Sequence, residues 1–188
     1  MASSISICSN ALIMLGDKPI ASFTEGSRAA QVAANLYTDA KRDFLRGHPW
    51  NAAIKRSTLA PLADAPEHGF ANQFQLPADF LRMLEVVDGQ EFKIEGRRVL
   101  VNATVLRIKY VAEVPEDTWD AGMVSAMTLQ MAALMALPIT ESSTKADALA
   151  QAANRAVRRA KAIDGMEDTP DAIEDDPLYR SRFPGGGW

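Results

Sequence analysis

The residues of this 188-residue sequence that could perform acid–base chemistry are few and far apart. His48 stands beside Pro49 and Trp50, and His68 lies in a polar stretch between predicted strands. A catalytic histidine needs partners that set its pKa and its orientation. Neither histidine has such partners in a recognisable motif, so we expect both to be solvated.

Cys8 is the only cysteine, and it lies on the apolar face of the first predicted helix. A single cysteine excludes a disulfide framework within the chain, and no Cys/His group has the spacing of zinc ligands. The sequence therefore favours Cys8 as a small core residue of a protein that resides in a reducing compartment.

No motif for a known catalytic chemistry is present in the sequence. It contains no glycine-rich phosphate loop, no nucleophile elbow and no paired-histidine metal helix. The adjacent carboxylates Glu116–Asp117 indicate a helix start, and Asp175–Asp176 add charge to the C-terminal segment. We predict neither an enzyme nor a cofactor or metal site.

A basic cluster near the end of the last predicted helix is the one concentrated charge of the body. Cations at a helix C-terminus are stabilised by the helix dipole, which is one interpretation. A contact with an acidic partner or with nucleic-acid phosphates is the other. The cluster consists of Arg155, Arg158, Arg159 and Lys161.

The net charge of -4 is unevenly distributed. From Asp164 onward there are seven acidic residues against Arg180 and Arg182, which gives -5 and leaves the rest of the chain at +1. A dedicated nucleic-acid-binding domain is normally clearly basic. The near-neutral body argues against that class.

Apolar residues recur with helical spacing in four segments, 4–15, 28–45, 120–137 and 144–163. Gly16 stands where a left-handed C-cap is expected, Ser27 is a candidate N-cap of the second helix, and Asp117 or Asp120 is the candidate N-cap of the third. Trp119 precedes the third helix as a candidate hydrophobic staple.

Between these helices, residues 51–111 change to strand-like periodicity. Leu106, Ile108 and Tyr110 alternate with Arg107 and Lys109, as in a half-buried strand. Trp50 is expected to fill the junction between helices and strands. The predicted fold class is α+β, mainly α: a bundle of about four helices with a small inserted antiparallel β-sheet. The domain covers 1–164, and an extended C-terminal tail covers 165–188.

The third helix is apolar around nearly its whole circumference, so it must be covered on all sides. The cover comes either from the rest of the monomer or from another subunit, and we predict a subunit interface formed by Met123, Met127, Met131 and Met135. The apolar run 123–137 is shorter than the roughly 20 residues that span a bilayer, so no membrane span is predicted.

Three stretches in order resemble the tail tubular protein A family, the head-to-tail adaptors of short-tailed bacteriophages. They are NALIMLGDKPIASF (10–23), AKRDFLRGHPWNAAIKRSTLAPL (40–62) and FQLPADFLRMLEV (74–86). The family's Gly-Trp element is represented here by Gly47-His48-Pro49-Trp50, and no aromatic residue follows at Ala52 or Ala53. The second half of the chain resembles the family only in the order of its elements.

The resemblance implies a structural virion protein that is assembled in the host cytoplasm. Such adaptors form a ring, usually of twelve subunits, between the portal protein and the tail nozzle or tube protein. The ring surrounds the channel through which genomic DNA passes transiently. The resemblance also implies that the C-terminal tail docks on the portal, with Leu178, Tyr179, Phe183 and Trp188 as apolar anchors.

Two other hypotheses remain open. One is a phage DNA-binding or packaging accessory protein that uses the basic cluster, and the other is an enzyme whose site lacks a recognisable motif. Steep salt dependence of DNA binding would favour the first of these.

Overall fold

The structure, a computed structural model, describes residues 2–87 and 89–167. Four α-helices and two small antiparallel sheets make up this part of the chain, so the predicted α+β, mainly α class is confirmed. The helices are α1 (Ser4–Leu15), α2 (Arg28–Arg46), α3 (Ala121–Thr140) and α4 (Ser143–Asp164). The strands are β1 (Ile54–Leu59), β2 (Asn72–Gln75), β3 (Phe80–Val86), β4 (Phe92–Glu95), β5 (Arg98–Val101) and β6 (Leu106–Ala112).

Local capping chemistry sets the helix ends. Gly16 ends α1 with φ 83°, in the left-handed region that favours glycine. Ser27 accepts a hydrogen bond from the backbone N–H of Ala30, and Asp120 accepts one from Met123. The predicted caps Gly16 and Ser27 are confirmed, and of the two candidates for the third helix Asp120 is the N-cap.

The sequence predicts that the third helix ends before Pro138. In the structure the helix continues to Thr140. A proline in the last turn removes only one backbone donor. The turn is held by the Thr140 hydroxyl, which donates to the Ala136 carbonyl at 2.7 Å, and by the Glu141 N–H, which donates to the Leu137 carbonyl. The helix then ends at Glu141 in the left-handed conformation.

The inserted strands form two three-stranded sheets, so the prediction of a single sheet is wrong. One sheet has the order β1-β6-β3 and the other β2-β5-β4. In the first, β6 is central and pairs with β1 from Ile54 opposite Val111 to Leu59 opposite Leu106. Alternation along a strand identifies its buried face but not its pairing partner.

The core is built around α3, which packs against α1, α2 and α4. Met123, Met127, Met131 and Met135 are each 0% exposed within the monomer. Another subunit cannot reach them without unfolding the bundle. The prediction that they form a subunit interface is therefore wrong, because neighbouring helices of the same chain cover them.

By length and composition alone, α3 could also cross a membrane, with a mean hydropathy of 1.5 over the tested window. The helix has 20 residues, so the argument that the segment is too short is wrong. Core helices of soluble proteins pass the same test, and α3 packs against three other helices. Its apolarity is thus weak evidence for a membrane span.

Trp50 fills the junction between the helices and the first sheet, as predicted. Its side chain is 0% exposed and stacks on Phe44 with ring centroids 4.9 Å apart. The indole N–H donates to the Phe44 carbonyl at 3.1 Å. The end of α2 is thereby held against the start of β1.

Candidate interaction surfaces

The C-terminal end of α4 is fastened to the segment between α2 and β1. The Asp164 side chain is only 6% exposed, and its Oδ1 accepts the backbone N–H of Asn51 at 3.0 Å. The Asn51 side-chain amide in turn donates to the Asp164 carbonyl at 2.8 Å. The last residue of α4 is therefore fixed in position.

His48 completes this fastening, with its Nε2 3.2 Å from Asp164 Oδ2. Burial lowers the pKa of His48 and outweighs the opposing effect of the Asp164 carboxylate. A neutral imidazole protonated at Nε2 then donates the hydrogen bond. The contact is structural and the side chain is only 22% exposed, so the expectation that His48 is solvated is wrong.

The basic cluster separates into two groups. The side chains of Arg155, Arg158 and Arg159 are exposed, and none has a hydrogen bond or ion pair with any residue in the described part of the chain. Lys161 is half-buried, and its Nζ donates to the Gly47 carbonyl at 3.3 Å. Three arginines are thus available to a partner, while Lys161 helps to join α4 to α2.

An apolar groove of about 450 Å³ lies between α2 and α4, with α3 at its base. We call it the α4 groove. Leu134, which is 43% exposed, contributes from α3. Phe44 and Gly47 contribute from the end of α2, and Ala150, Asn154 and Val157 from α4.

A second groove, of about 640 Å³, lies between α1 and α3. We call it the α1–α3 groove. Ile13 and Met14 on α1 are 55% and 48% exposed, although both are large and apolar. Val124 and Ser125 line the groove from α3.

The two grooves lie on opposite sides of α3. About two and a half helical turns separate Ser125 from Leu134, and the same separates Ala121 from Gln130. The first residue of each pair lines the α1–α3 groove and the second lines the α4 groove. The helix bundle therefore presents two different apolar surfaces that face away from each other.

Neither groove is predicted from the sequence. The available signal is the presence of large apolar residues at outward positions of amphipathic segments, namely Ile13, Met14, Leu134 and Leu137. On α1 and α3 these residues are hidden among other apolar residues, because both helices are apolar nearly all round. Only the packing of the helices distinguishes the outer residues from the core.

A polar cleft of about 460 Å³ surrounds His68 at the second sheet. Lys93 and Glu95 at its wall form an exposed ion pair at 2.8 Å. Within the residues that the structure describes, no group of three or more His, Cys, Asp or Glu residues could hold a metal ion. The described residues that line the cleft include no serine, threonine, cysteine or tyrosine that could act as a nucleophile beside His68.

Cys8 is a core residue, as expected from the sequence. Burial raises the pKa of its thiol to about 12, with a smaller contribution from the Glu116 carboxylate. Because the thiolate is the reactive form, the Cys8 thiol is unreactive in the folded protein.

The predicted portal-binding anchors lie outside the described residues. They are Leu178, Tyr179, Phe183 and Trp188, so their role stays a prediction.

No protein-family model matches the sequence, and no curated protein matches it. Function is therefore argued from the surfaces of the molecule and from the motifs in its first half.

Proposed function

We propose that this protein is a structural virion subunit, a head-to-tail adaptor that forms a ring between portal and tail in a short-tailed bacteriophage. The observation that carries the proposal is the pair of apolar grooves on opposite sides of α3. A closed ring requires head-to-tail contacts in which one surface of each subunit binds a different surface of the next. Contiguous exposed apolar surfaces commonly mark protein interfaces.

The motifs that resemble the adaptor family lie at structural junctions of this fold. Residues 10–23 form the end of α1 and the following turn, and 47–50 join α2 to β1. Leu76 and Pro77 lead from β2 toward β3. The resemblance thus concerns residues that set the architecture, which supports a shared fold more than a shared chemistry.

In the proposed ring, the subunits contact each other through the two grooves, and the ring contains twelve copies by analogy with the family. The portal protein lies on one side and the tail nozzle or tube protein on the other, while genomic DNA passes through the channel. The tail segment binds the portal through its apolar anchors. The protein acts in the virion neck after assembly in the host cytoplasm.

The test is assembly on a portal protein encoded in the same genome, followed by native mass spectrometry and electron microscopy. We expect a ring of this chain bound to portal, and no ring with Ile13→Asp or Leu134→Asp. Val105→Asp is the matched control, because Val105 is 58% exposed and lines neither groove. Failure of the unmodified chain to bind portal, or equal loss with the control, contradicts the proposal.

A DNA-binding accessory protein is the second candidate, supported by the three exposed arginines of α4. Its affinity for DNA should fall steeply with salt, because phosphate contacts release counterions. Charge reversal at Arg155, Arg158 and Arg159 should flatten that dependence. Binding that is absent at low salt, or unchanged by the reversal, excludes this candidate.

A further inference from the structure

We infer that the outer face of the first sheet binds the phosphate backbone of double-stranded DNA. Strands β1, β6 and β3 form this face. Its four basic residues, which we call the basic strip, are Arg56, Arg82, Arg107 and Lys109. The inference rests on the proposed function in one respect, because the channel of the ring is where the strip would meet DNA. It involves neither groove and none of the arginines of α4.

The strand register places the residues of the basic strip side by side. Arg56 of β1 lies directly opposite Lys109 of β6. Arg107 lies two residues from Lys109 along β6. In the other direction, two residues lead to Val111, which lies opposite Arg82 of β3. Because alternate residues of a strand share a face, the four basic residues lie on one side of the sheet, within about 13 Å along the strands.

The basic strip faces away from the core. On β6, Leu106 and Ile108 alternate with the basic residues and are buried. Arg56 and Arg107 are exposed, and Lys109 is half-buried. These three residues line a depression of about 340 Å³ on the outer face. A ligand can therefore reach them without any change in the core.

Stability of the fold does not account for the strip. Like charges directly opposite each other on a sheet are destabilising, and Arg56 lies opposite Lys109 in this way. Within the described residues, neither side chain has a hydrogen bond or ion pair that offsets the repulsion. A sheet has only a small dipole, so it lacks the field with which a helix end stabilises cations. Both charges are thus available to an anionic partner.

Arg82 adds a third cation whose hydrogen bonding is incomplete. Its Nε is buried and has no hydrogen-bond partner within the described part of the chain. A buried donor without a partner is costly, and a bound phosphate would compensate the charge of this guanidinium group. Arg107, in contrast, already has an interaction within the chain. We therefore count Arg56, Arg82 and Lys109 as the phosphate contacts.

The lining of the depression fits phosphate better than an acidic protein surface. Protein interfaces usually have an apolar centre. Among the described residues, none of the large exposed apolar side chains lines this depression. Thr58 does line it, and threonine hydroxyls commonly donate to phosphate oxygens. Phosphate contacts carry no sequence information, which suits a surface that meets a whole genome as it passes.

Glu85 limits the strength of the contact. It is the only acidic residue among the described residues that line the depression, and it lies opposite Lys109. Within the described residues its carboxylate forms no ion pair, so its charge repels phosphates. Three phosphate contacts opposed by one acid hold DNA loosely. Loose binding is what a surface beside moving DNA needs.

The experiment is an NMR titration of the isotope-enriched full chain with a short mixed-sequence DNA duplex, because NMR detects weak binding. We expect the backbone amide signals of β1, β3 and β6 to shift, while those of α4 stay in place. The logarithm of the affinity should fall against the logarithm of the salt concentration with a slope of about -3, since each of three contacts contributes about -0.9.

Paired variants test the assignment. Arg56→Gln combined with Lys109→Gln should reduce the slope to about -1, because two phosphate contacts are lost. Glu85→Gln should bind the duplex about two- to fivefold more tightly, because a repulsive surface charge is removed. Tighter binding cannot result from a loss of folding. The matched control, Lys18→Gln combined with Arg28→Gln, removes two exposed charges outside the sheet and should leave the slope unchanged.

Three results overturn the inference. The first is an absence of shifts in the first sheet at low salt. The second is a set of shifts confined to α4, around Arg155, Arg158 and Arg159, which would assign DNA binding to that helix. The third is a shift of the first-sheet signals with poly-glutamate but not with the duplex, which would mean that the partner is an acidic protein surface.

The ring is tested separately from this surface. Arg56 and Lys109 line neither groove, so the variant that lacks both charges should still assemble on portal. Assembly on portal without DNA binding by the strip contradicts this inference alone. DNA binding by the strip in a chain that never assembles on portal contradicts the proposed function alone.

Discussion

Asp164 carries more of the architecture than its position at a helix end indicates. Its carboxylate accepts from the Asn51 backbone and contacts His48, so one side chain joins α4 to the α2–β1 junction. At this residue the body ends and the acidic segment begins. A loss of this contact would free the last turn of α4 as well as the start of the segment.

We predict that Asp164→Ala lowers the free energy of unfolding by about 1–3 kcal/mol, the usual cost of leaving a buried donor without its partner. Urea denaturation measures the change. Asp147→Ala is the control, since Asp147 is an exposed residue of the same helix and should change stability by less than about 0.5 kcal/mol. Equal effects of the two substitutions would contradict the structural role of Asp164.

A second carboxylate, Glu116, ties the segment before α3 to α2. Its Oε1 accepts from the Tyr37 hydroxyl at 2.9 Å and pairs with Lys41 at 2.9 Å. Burial by itself raises the pKa of Glu116, but the hydrogen bonds from Lys41 and Tyr37 outweigh burial and hold the pKa below its usual value of 4.5. The ionised form is therefore favoured by folding.

The sign of the pH dependence follows from this lowered pKa. The contribution of Glu116 to stability is complete above its unfolded pKa near 4.5 and is lost as the pH falls through the lower folded pKa. We expect the Glu116→Gln variant to lose less stability than the unmodified chain as the pH falls below 5. Thermal unfolding at a series of pH values measures the difference. Asp117→Asn, at an exposed neighbour, should leave that pH profile as it is in the unmodified chain.

Among the elements, α3 shows how the same composition supports two interpretations. A helix that is apolar all round indicates burial but does not say which chain buries it. The four methionines of α3 are buried by α1, α2 and α4. The large apolar residues of α3 that remain exposed are Leu134 and Leu137. The prediction of a subunit interface was therefore placed on residues that the chain itself buries.

Replacement of Met131 by alanine tests this assignment. We predict a loss of about 2–5 kcal/mol in the free energy of unfolding, because the truncation leaves a cavity in the core. The loss should be independent of protein concentration. Leu137→Ala, at a residue that is 55% exposed, is the control and should cost less than about 0.5 kcal/mol. If the loss of unfolding free energy caused by Met131→Ala disappears at low protein concentration, the four methionines form an interface between subunits.

The sequence predicts the elements well and their partners poorly, for a physical reason. Helix ends depend on local groups such as Gly16 and Ser27, which act within one turn and can be read from the chain. The pairing of β5 with β2 and β4, and the grooves beside α3, depend on contacts between distant segments. Nothing in the spacing of Ile13 or Leu134 distinguishes an outward residue from a core residue.

At the scale of the whole molecule, the two grooves make a prediction about symmetry. A two-fold dimer would use the same surface on both subunits, whereas a ring uses two different surfaces. The positions of the α1–α3 groove and the α4 groove on opposite sides of α3 favour the second arrangement. Variants that each damage one groove can tell the two arrangements apart.

We predict that chains carrying Ile13→Asp and chains carrying Leu134→Asp each fail to associate alone but form a heterodimer when mixed. Each mixed pair has one intact α1–α3 groove facing one intact α4 groove, so a single contact forms and growth then stops. Both chains should end at Glu167, so that the test concerns the two grooves alone. Among the residues that the structure describes, the core residues lie between Ile7 and Ala160, and the shortened chain keeps all of them.

Native mass spectrometry at high protein concentration measures the outcome. The shortened chain without either substitution should give a series of larger species, because both of its contacts are intact. Its mixture with Val105→Asp should behave in the same way, since Val105 lies outside both grooves. A dimer that either single variant still forms alone would mean that like surfaces pair, and the head-to-tail arrangement would then be wrong.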